Sequence, residues 1–203
     1  MDRNGAAGFT RQDRAIAAAA ALGAMAVYLL TLAPTITGED SGEFVTAARV
    51  LGVAHPPGYP LYLMIAHAFT WIPFGTVAWR VNLVSAVFGA GTVYLLALLV
   101  ILFTRNRIAA LAAALLFAFS RELWEQSVIA EVYTLTAFLV VLSLLLLFQW
   151  ERTRANRLLL WLAVVCGLGT SVHNTFMLLM PWFGLFVLLH DRAETGSLPG
   201  PRR

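Results

Sequence analysis

The stretch Thr37-Gly38-Glu39-Asp40-Ser41-Gly42-Glu43-Phe44 and the turn His55-Pro56-Pro57-Gly58-Tyr59-Pro60 place three carboxylates and an imidazole just after a hydrophobic segment long enough to cross a bilayer. A carboxylate in such a place can take a proton from a hydroxyl or hold a ligand, and charge beside hydrocarbon is costly unless it is hydrated or used. The same residues also fit a helix start, with Asp40 as N-cap and Glu43 three residues on closing a capping box. Capping needs one acid and one partner, so Glu39 is left without a structural duty.

The His55-Pro56-Pro57-Gly58 sequence reads first as a rigid turn, with glycine releasing the chain into the next helix. Such a turn folds residues 55 to 60 back towards the acids at 39 to 43, where imidazole can donate to phosphate or sugar oxygens. His173-Asn174-Thr175 is a second polar break, either a helix-ending turn or part of the same site. Glu131, beside Tyr133 at the head of an apolar run, reads on its own as a snorkelling or capping acid. The four histidines are isolated from one another. No metal-ligand spacing is therefore present, and a divalent ion is not indicated, although acid and histidine ligands can still converge through folding. Phosphate-binding glycine loops, nucleophile elbows and nucleic-acid motifs are absent, which argues against soluble nucleotide chemistry and a nucleic-acid partner.

The elements that must position these residues are membrane helices. Sixty per cent of residues are hydrophobic and 12% charged, with a mean hydropathy of +0.76, a composition no soluble core of this length needs. Runs 15 to 33, 81 to 103 and 132 to 150 approach the roughly 20 residues that span about 30 Å of hydrocarbon. Runs 108 to 120, 158 to 172 and 176 to 189 are shorter and span only if the bilayer thins or flanking residues extend the helix. The prediction is an all-α integral membrane protein of about six transmembrane helices. The single cysteine, Cys166, lies inside an apolar run and packs there. One membrane domain, 15 to 190, is expected between a cytoplasmic tail, 1 to 14, and a disordered cytoplasmic tail, 191 to 203. A cleaved signal peptide fits poorly, because the first run is long and Pro34 would follow the cut.

Sidedness follows from arginine, which supplies all fourteen basic residues. Six alternating helices with 34 to 79 outside place eleven of them in the cytoplasm, on the tails and on the connections at 105 to 107 and 152 to 157, as the positive-inside rule requires. The acidic cluster then faces outward with only Arg49, Arg80 and Arg121 beside it. The run Leu61 to Phe74 must lie on the outer surface, with Leu61, Ile65, Ala68, Phe69 and Ile72 on its apolar face. Arginine without lysine hints at a GC-rich genome, so a bacterial plasma membrane is the expected location, with the endoplasmic reticulum as the alternative.

Four separated motifs carry a family resemblance: Gly38-Glu39-Asp40-Ser41-Gly42-Glu43-Phe44, His55-Pro56-Pro57-Gly58-Tyr59-Pro60-Leu61, Glu131-Val132-Tyr133-Thr134, and Gly167-Leu168-Gly169 with His173-Asn174. Together they resemble the protein O-mannosyltransferase-like membrane family, grouped with the GT-C glycosyltransferases. The resemblance implies a sugar taken from a polyprenyl- or dolichyl-phosphate carrier at the external face and passed to a protein, lipid or glycan acceptor. It implies a catalytic role for Asp40, as base; Glu43, three residues on, is the second catalytic candidate. Substrate contacts are implied at Glu39, His55, Pro56, Pro57, Glu131, His173 and Asn174, with Glu131 near the donor phosphate. Protein mannosyltransferases pair two adjacent acids where this chain has Asp40 followed by Ser41.

A departing lipid phosphate needs positive charge. Among the outer arginines, Arg80 is favoured as a bidentate clamp, with snorkelling at the interface as its alternative. GT-C enzymes usually have more helices and often a soluble C-terminal domain, so a further domain or partner chain is expected. The competing reading is a truncated, non-catalytic module that binds a lipid carrier or partner protein. A transporter fits less well, because the charges gather at one face rather than along a midplane path.

Overall fold

The structure, a computed structural model, describes residues 8–195, with side chains through Asp191. The regular elements among the described residues are all helices: α1 (Arg11–Thr31), α2 (Ser41–Val50), α3 (Pro60–Phe69), α4 (Val77–Thr104), α5 (Arg107–Ala118), α6 (Arg121–Ser127), α7 (Tyr133–Thr153), α8 (Asn156–Thr170) and α9 (Thr175–Thr195). Among them α1, α4 and α7 are long and apolar enough to cross a membrane. These are the three long runs read from the sequence, with ends shifted by one to four residues.

Helix α4 is the central post, packed on α1, α5 and α7. Its approach to α1 is close because α1 presents Ala17, Ala20 and Ala24 at helical spacing, all buried. Small side chains let backbones meet, which is how helices associate where no hydrophobic driving force separates protein from lipid. Above that stripe, the buried Tyr28 hydroxyl donates to the Ala118 carbonyl at 2.7 Å, a bond between helices worth about 0.6 kcal/mol in such surroundings. On the other side of α4, the Phe88 and Phe138 rings meet edge to face at 5.3 Å and tie it to α7.

Polar contacts define the two ends of the bundle. At one end Asp13, closing a capping box with Thr10, accepts from Arg107 Nε at 2.7 Å, and Arg154 donates to the His190 carbonyl. At the other end Ala33 N–H donates to the Val128 carbonyl, and the Asn82 amide donates to the Ala33 and Thr35 carbonyls. The six longer helices α1, α4, α5, α7, α8 and α9 therefore alternate in direction, and α2, α3 and α6 all lie at the second end. The fold is consistent with a multi-pass membrane protein.

Three differences from the sequence reading stand out. Helix α6 was not anticipated, since seven mostly polar residues give no apolar run, yet Ser120 caps it by accepting from Leu123 N–H. Helix α9 continues to Thr195, five residues into the expected disordered tail; 196–203 and 1–7 lie outside the described residues. Helix α3 has only 10 residues, about 15 Å, too short to cross. Its most buried face is Tyr62, Leu63 and Ala66 rather than the stripe through Ala68, which is exposed. The reason is that α3 packs on α2 and α4, with Tyr62 edge-on to Phe44 at 5.2 Å, so its main apolar contact is with protein.

Candidate active site at the head of the bundle

The site begins where the chain leaves α1 and must enter α2. Glu39 takes a left-handed conformation, φ 58°, which costs a non-glycine residue about 1–3 kcal/mol and concentrates at functional sites. Asp40 then occupies the N-cap of α2, but its side chain makes no capping hydrogen bond. Glu43 does not close the capping box either. The N–H of Asp40 that it would have accepted donates at 3.2 Å to Glu131 Oε1, from the loop before α7.

Glu43 is instead committed to His55. Its carboxylate accepts from the His55 backbone N–H at 2.6 Å and from His55 Nδ1 at 2.8 Å. This holds the ring with Nε2 turned to the Tyr59 hydroxyl, 2.9 Å away, and to Asp40 Oδ2 at 3.8 Å. The turn folds back as expected: Gly58 N–H donates to the His55 carbonyl at 2.8 Å, and Gly58 has φ 91°, a conformation suited to glycine. Pro56 and Pro57 are exposed on the turn, joined by a cis peptide bond. Phe44 forms the floor, edge-on to Tyr59 at 5.2 Å.

Charge and burial set the protonation of these groups. The Glu43 hydrogen bond raises the affinity of His55 for its second proton, reinforced by the charges of Asp40 and Glu131. In return, the His55 ring and backbone N–H hold the Glu43 carboxyl below its ordinary value of 4.5. Glu131 behaves in the opposite way. It is 2% exposed, and burial, with the charges of Glu39 and Asp40 nearby, pushes it up to about 7 against the pull of the Asp40 N–H.

Of the remaining expected residues, Glu39 is exposed and accepts from Gln126 Nε2 of α6 at 3.5 Å. His173 lies beside the Tyr133 ring at 5.8 Å. Its Nδ1 accepts from Thr175 N–H and lies 2.7 Å from the Thr175 hydroxyl. Asn174 is exposed, and its carbonyl accepts from Met177 N–H at the start of α9. Arg80 is drawn elsewhere. Its Nε, Nη1 and Nη2 donate to the carbonyls of Phe74, Thr70 and Gly75 at 2.8, 2.8 and 2.9 Å. All three nitrogens thus take part in closing the α3–α4 connection, a duty that the expectation of a phosphate clamp at Arg80 did not include.

Sequence reading passed over Tyr59, Ser85 and Gln126 as members of the site. Tyr59 carried a usable signal, lying one helical turn beyond His55 and ahead of the proline that starts α3. Ser85 and Gln126 carried none, since they reach the acids only through the packing of α4 and α6. Asp40, Glu43 and His55 together offer oxygen and nitrogen atoms within 4.8 Å of one another. That spacing would suit a cation, and the same groups form a hydrogen-bonded set in which Nδ1 of His55 is bound to Glu43.

The family described as the Protein O-mannosyl-transferase TMEM260 N-terminal domain matches residues 40–196. The protein called Protein O-mannosyl-transferase TMEM260 in Mus musculus is 40% identical over 182 residues, covering 85% of this chain and 26% of its own length. Its namesake in Dictyostelium discoideum is 28% identical over 189 residues, covering 85% of this chain and 23% of its own. The chain thus spans about a quarter of the length of these relatives. Both organisms are eukaryotic, which lends no support to a bacterial plasma membrane. No solved structure matches the chain.

Proposed function

The chain belongs to the Protein O-mannosyl-transferase TMEM260 N-terminal domain family, and on that premise we propose that it carries the reaction site of a membrane glycosyltransferase. The sugar, mannose on the strength of the relatives' names, comes from a polyprenyl- or dolichyl-phosphate carrier and passes to an acceptor hydroxyl at the external face. The observation that carries this reading is the Asp40 carboxylate: exposed, free of capping, and facing His55 Nε2.

Asp40 acts as general base. It takes the proton from the acceptor hydroxyl as the acceptor oxygen bonds to the anomeric carbon, while the bond from that carbon to the carrier phosphate breaks and the phosphate keeps the electron pair. Charge builds on the departing phosphate, and His55, held towards its protonated form by Glu43, is the cation that the cluster itself supplies. Glu43 serves the reaction through His55. Glu39, His173 and Asn174 line the approach to the base and contact the substrates. For the lipid tail, the fold offers an apolar groove of about 530 Å³ between α1, α4 and α7, lined by Leu22, Met25, Val87, Tyr94 and Phe138 among others. Arginine placement supports an outward-facing site, because Arg105, Arg107, Arg152 and Arg154 lie at the opposite end of the bundle from the acids.

The test is transfer of labelled mannose from dolichyl-phosphate mannose by the protein reconstituted in vesicles, native against Asp40→Asn. Turnover that disappears in a folded variant supports the base. Equal turnover removes Asp40 from the mechanism. The second reading is a module that binds the lipid carrier without transferring sugar. Carrier binding without turnover, indifferent to Asp40→Asn, would favour it.

A further inference from the structure

At a helix N-terminus of the capping-box type, the acid three residues after the N-cap reaches back to the N-cap N–H. In α2 that acid is Glu43 and that N–H belongs to Asp40, yet the acceptor is Glu131, 91 residues away. Glu131 is held in turn by α4, where the Ser85 hydroxyl accepts from the Glu131 N–H at 3.3 Å and donates to its carbonyl at 3.2 Å. A strut therefore runs from α4 through Glu131 to the N-cap residue of α2. Because the Asp40 N–H is taken from outside, Glu43 is released to bind His55 twice.

We propose that Glu131 is a positioning residue: by taking the Asp40 N–H it fixes the base at the head of α2 and frees Glu43 to orient His55. This rests on the transferase reading above and departs from the donor-phosphate contact that the family resemblance implies for Glu131. Two observations separate the roles. Glu131 is 2% exposed, sealed from a ligand approaching the exposed Asp40. Its side chain also contacts the protein at the one backbone group whose partner decides where Glu43 points.

The consequence can be read at His55, where the facing groups are Glu43, Asp40, Glu131 and Tyr59. In Glu131→Ala the Asp40 N–H loses its acceptor, Glu43 swings back to cap it, and His55 loses its partner. In Glu131→Gln an oxygen remains to accept the N–H, and Glu43 stays on His55. The experiment follows the His55 ring by NMR titration in nanodiscs, with His55→Gln to assign it, beside single-turnover transfer from dolichyl-phosphate mannose. In the alanine variant we expect the His55 midpoint to fall towards its ordinary value of 6.5. We also expect kcat to fall on the order of 10²-fold with the donor KM unchanged, the size of effect that misplacing a catalytic group produces. Glutamine should restore kcat and most of the His55 midpoint, losing only the smaller push that the Glu131 charge gives the ring. An unchanged His55 titration in folded Glu131→Ala overturns the proposal, and so does a raised donor KM at unchanged kcat, which would mark a donor contact. If the native protein shows no turnover, the transferase reading fails, and the His55 titration decides the positioning role by itself.

Discussion

His55 is bound twice by Glu43, twelve residues before it, through its backbone N–H at 2.6 Å and its ring Nδ1 at 2.8 Å. The pair is exposed, so its worth lies in orientation and protonation more than in stability. The shifts act in opposite directions. His55 is raised above 6.5, so its contribution is present below that pH and is lost as pH rises through the folded midpoint. Glu43 is lowered below 4.5, so its contribution is present above that pH and is lost as pH falls through its own midpoint. Both are in place from about pH 4.5 to 6.5. Glu43→Gln should bring the NMR midpoint of His55 down from its raised position, and an unmoved midpoint would show that the pair is not formed in the membrane.

Glu131 predicts a stability profile of the opposite sign. Its folded value is raised from 4.5 to about 7, so the folded state holds the proton more tightly than the unfolded chain does. Stability falls as pH rises between those values, by up to ~3 kcal/mol, and is flat above them. Thermal unfolding in detergent from pH 4 to 8 should show this decline in the native protein and a flatter curve in Glu131→Gln, which becomes the more stable of the two above pH 7. A carboxylate retained at such a cost is expected where function needs it.

The two glycines of Gly167-Leu168-Gly169 are unequal. A methyl group on Gly169 would run into the ring of Phe176, whereas one on Gly167 meets nothing within 4 Å. Phe176 is fully buried in the core beneath His173. Gly169→Ala should therefore cost about 1–3 kcal/mol, the usual range for overpacking, and lower Tm, while Gly167→Ala should leave Tm nearly unchanged.

Arg80 separates structure from ligand binding. With three carbonyls at 70 to 75 held by its guanidinium, Arg80→Gln should lower Tm and speed hydrogen exchange of the α3–α4 connection without altering donor Kd. Weaker donor binding at unchanged exchange would restore the phosphate clamp.

Much of this site can be read from the chain because charged residues are so few in it. Acids beside an apolar segment draw notice, and His-Pro-Pro-Gly announces a turn that folds back. The long helices α1, α4 and α7 declare themselves by length. The partners are harder to read. Local spacing favours Glu43 as the closing half of a capping box, but a buried carboxylate from the loop before α7 wins the Asp40 N–H, an outcome no local rule contains. Arg80 looks free in the sequence because its partners are backbone carbonyls, which leave no trace in residue type. Helix α6 escapes because Arg121 to Ser127 lacks an apolar period, and α3 turns a different face inward because α2 and α4 cover it.

The most direct test of the central claim compares the two acids of α2 in single-turnover transfer from dolichyl-phosphate mannose, using folded Asp40→Asn and Glu43→Gln in vesicles. If Asp40 is the base and Glu43 acts through His55, Asp40→Asn should lose at least about 10²-fold in rate. Glu43→Gln should lose clearly less and keep the donor Kd. A Glu43→Gln loss equal to or larger than that of Asp40→Asn would contradict the account.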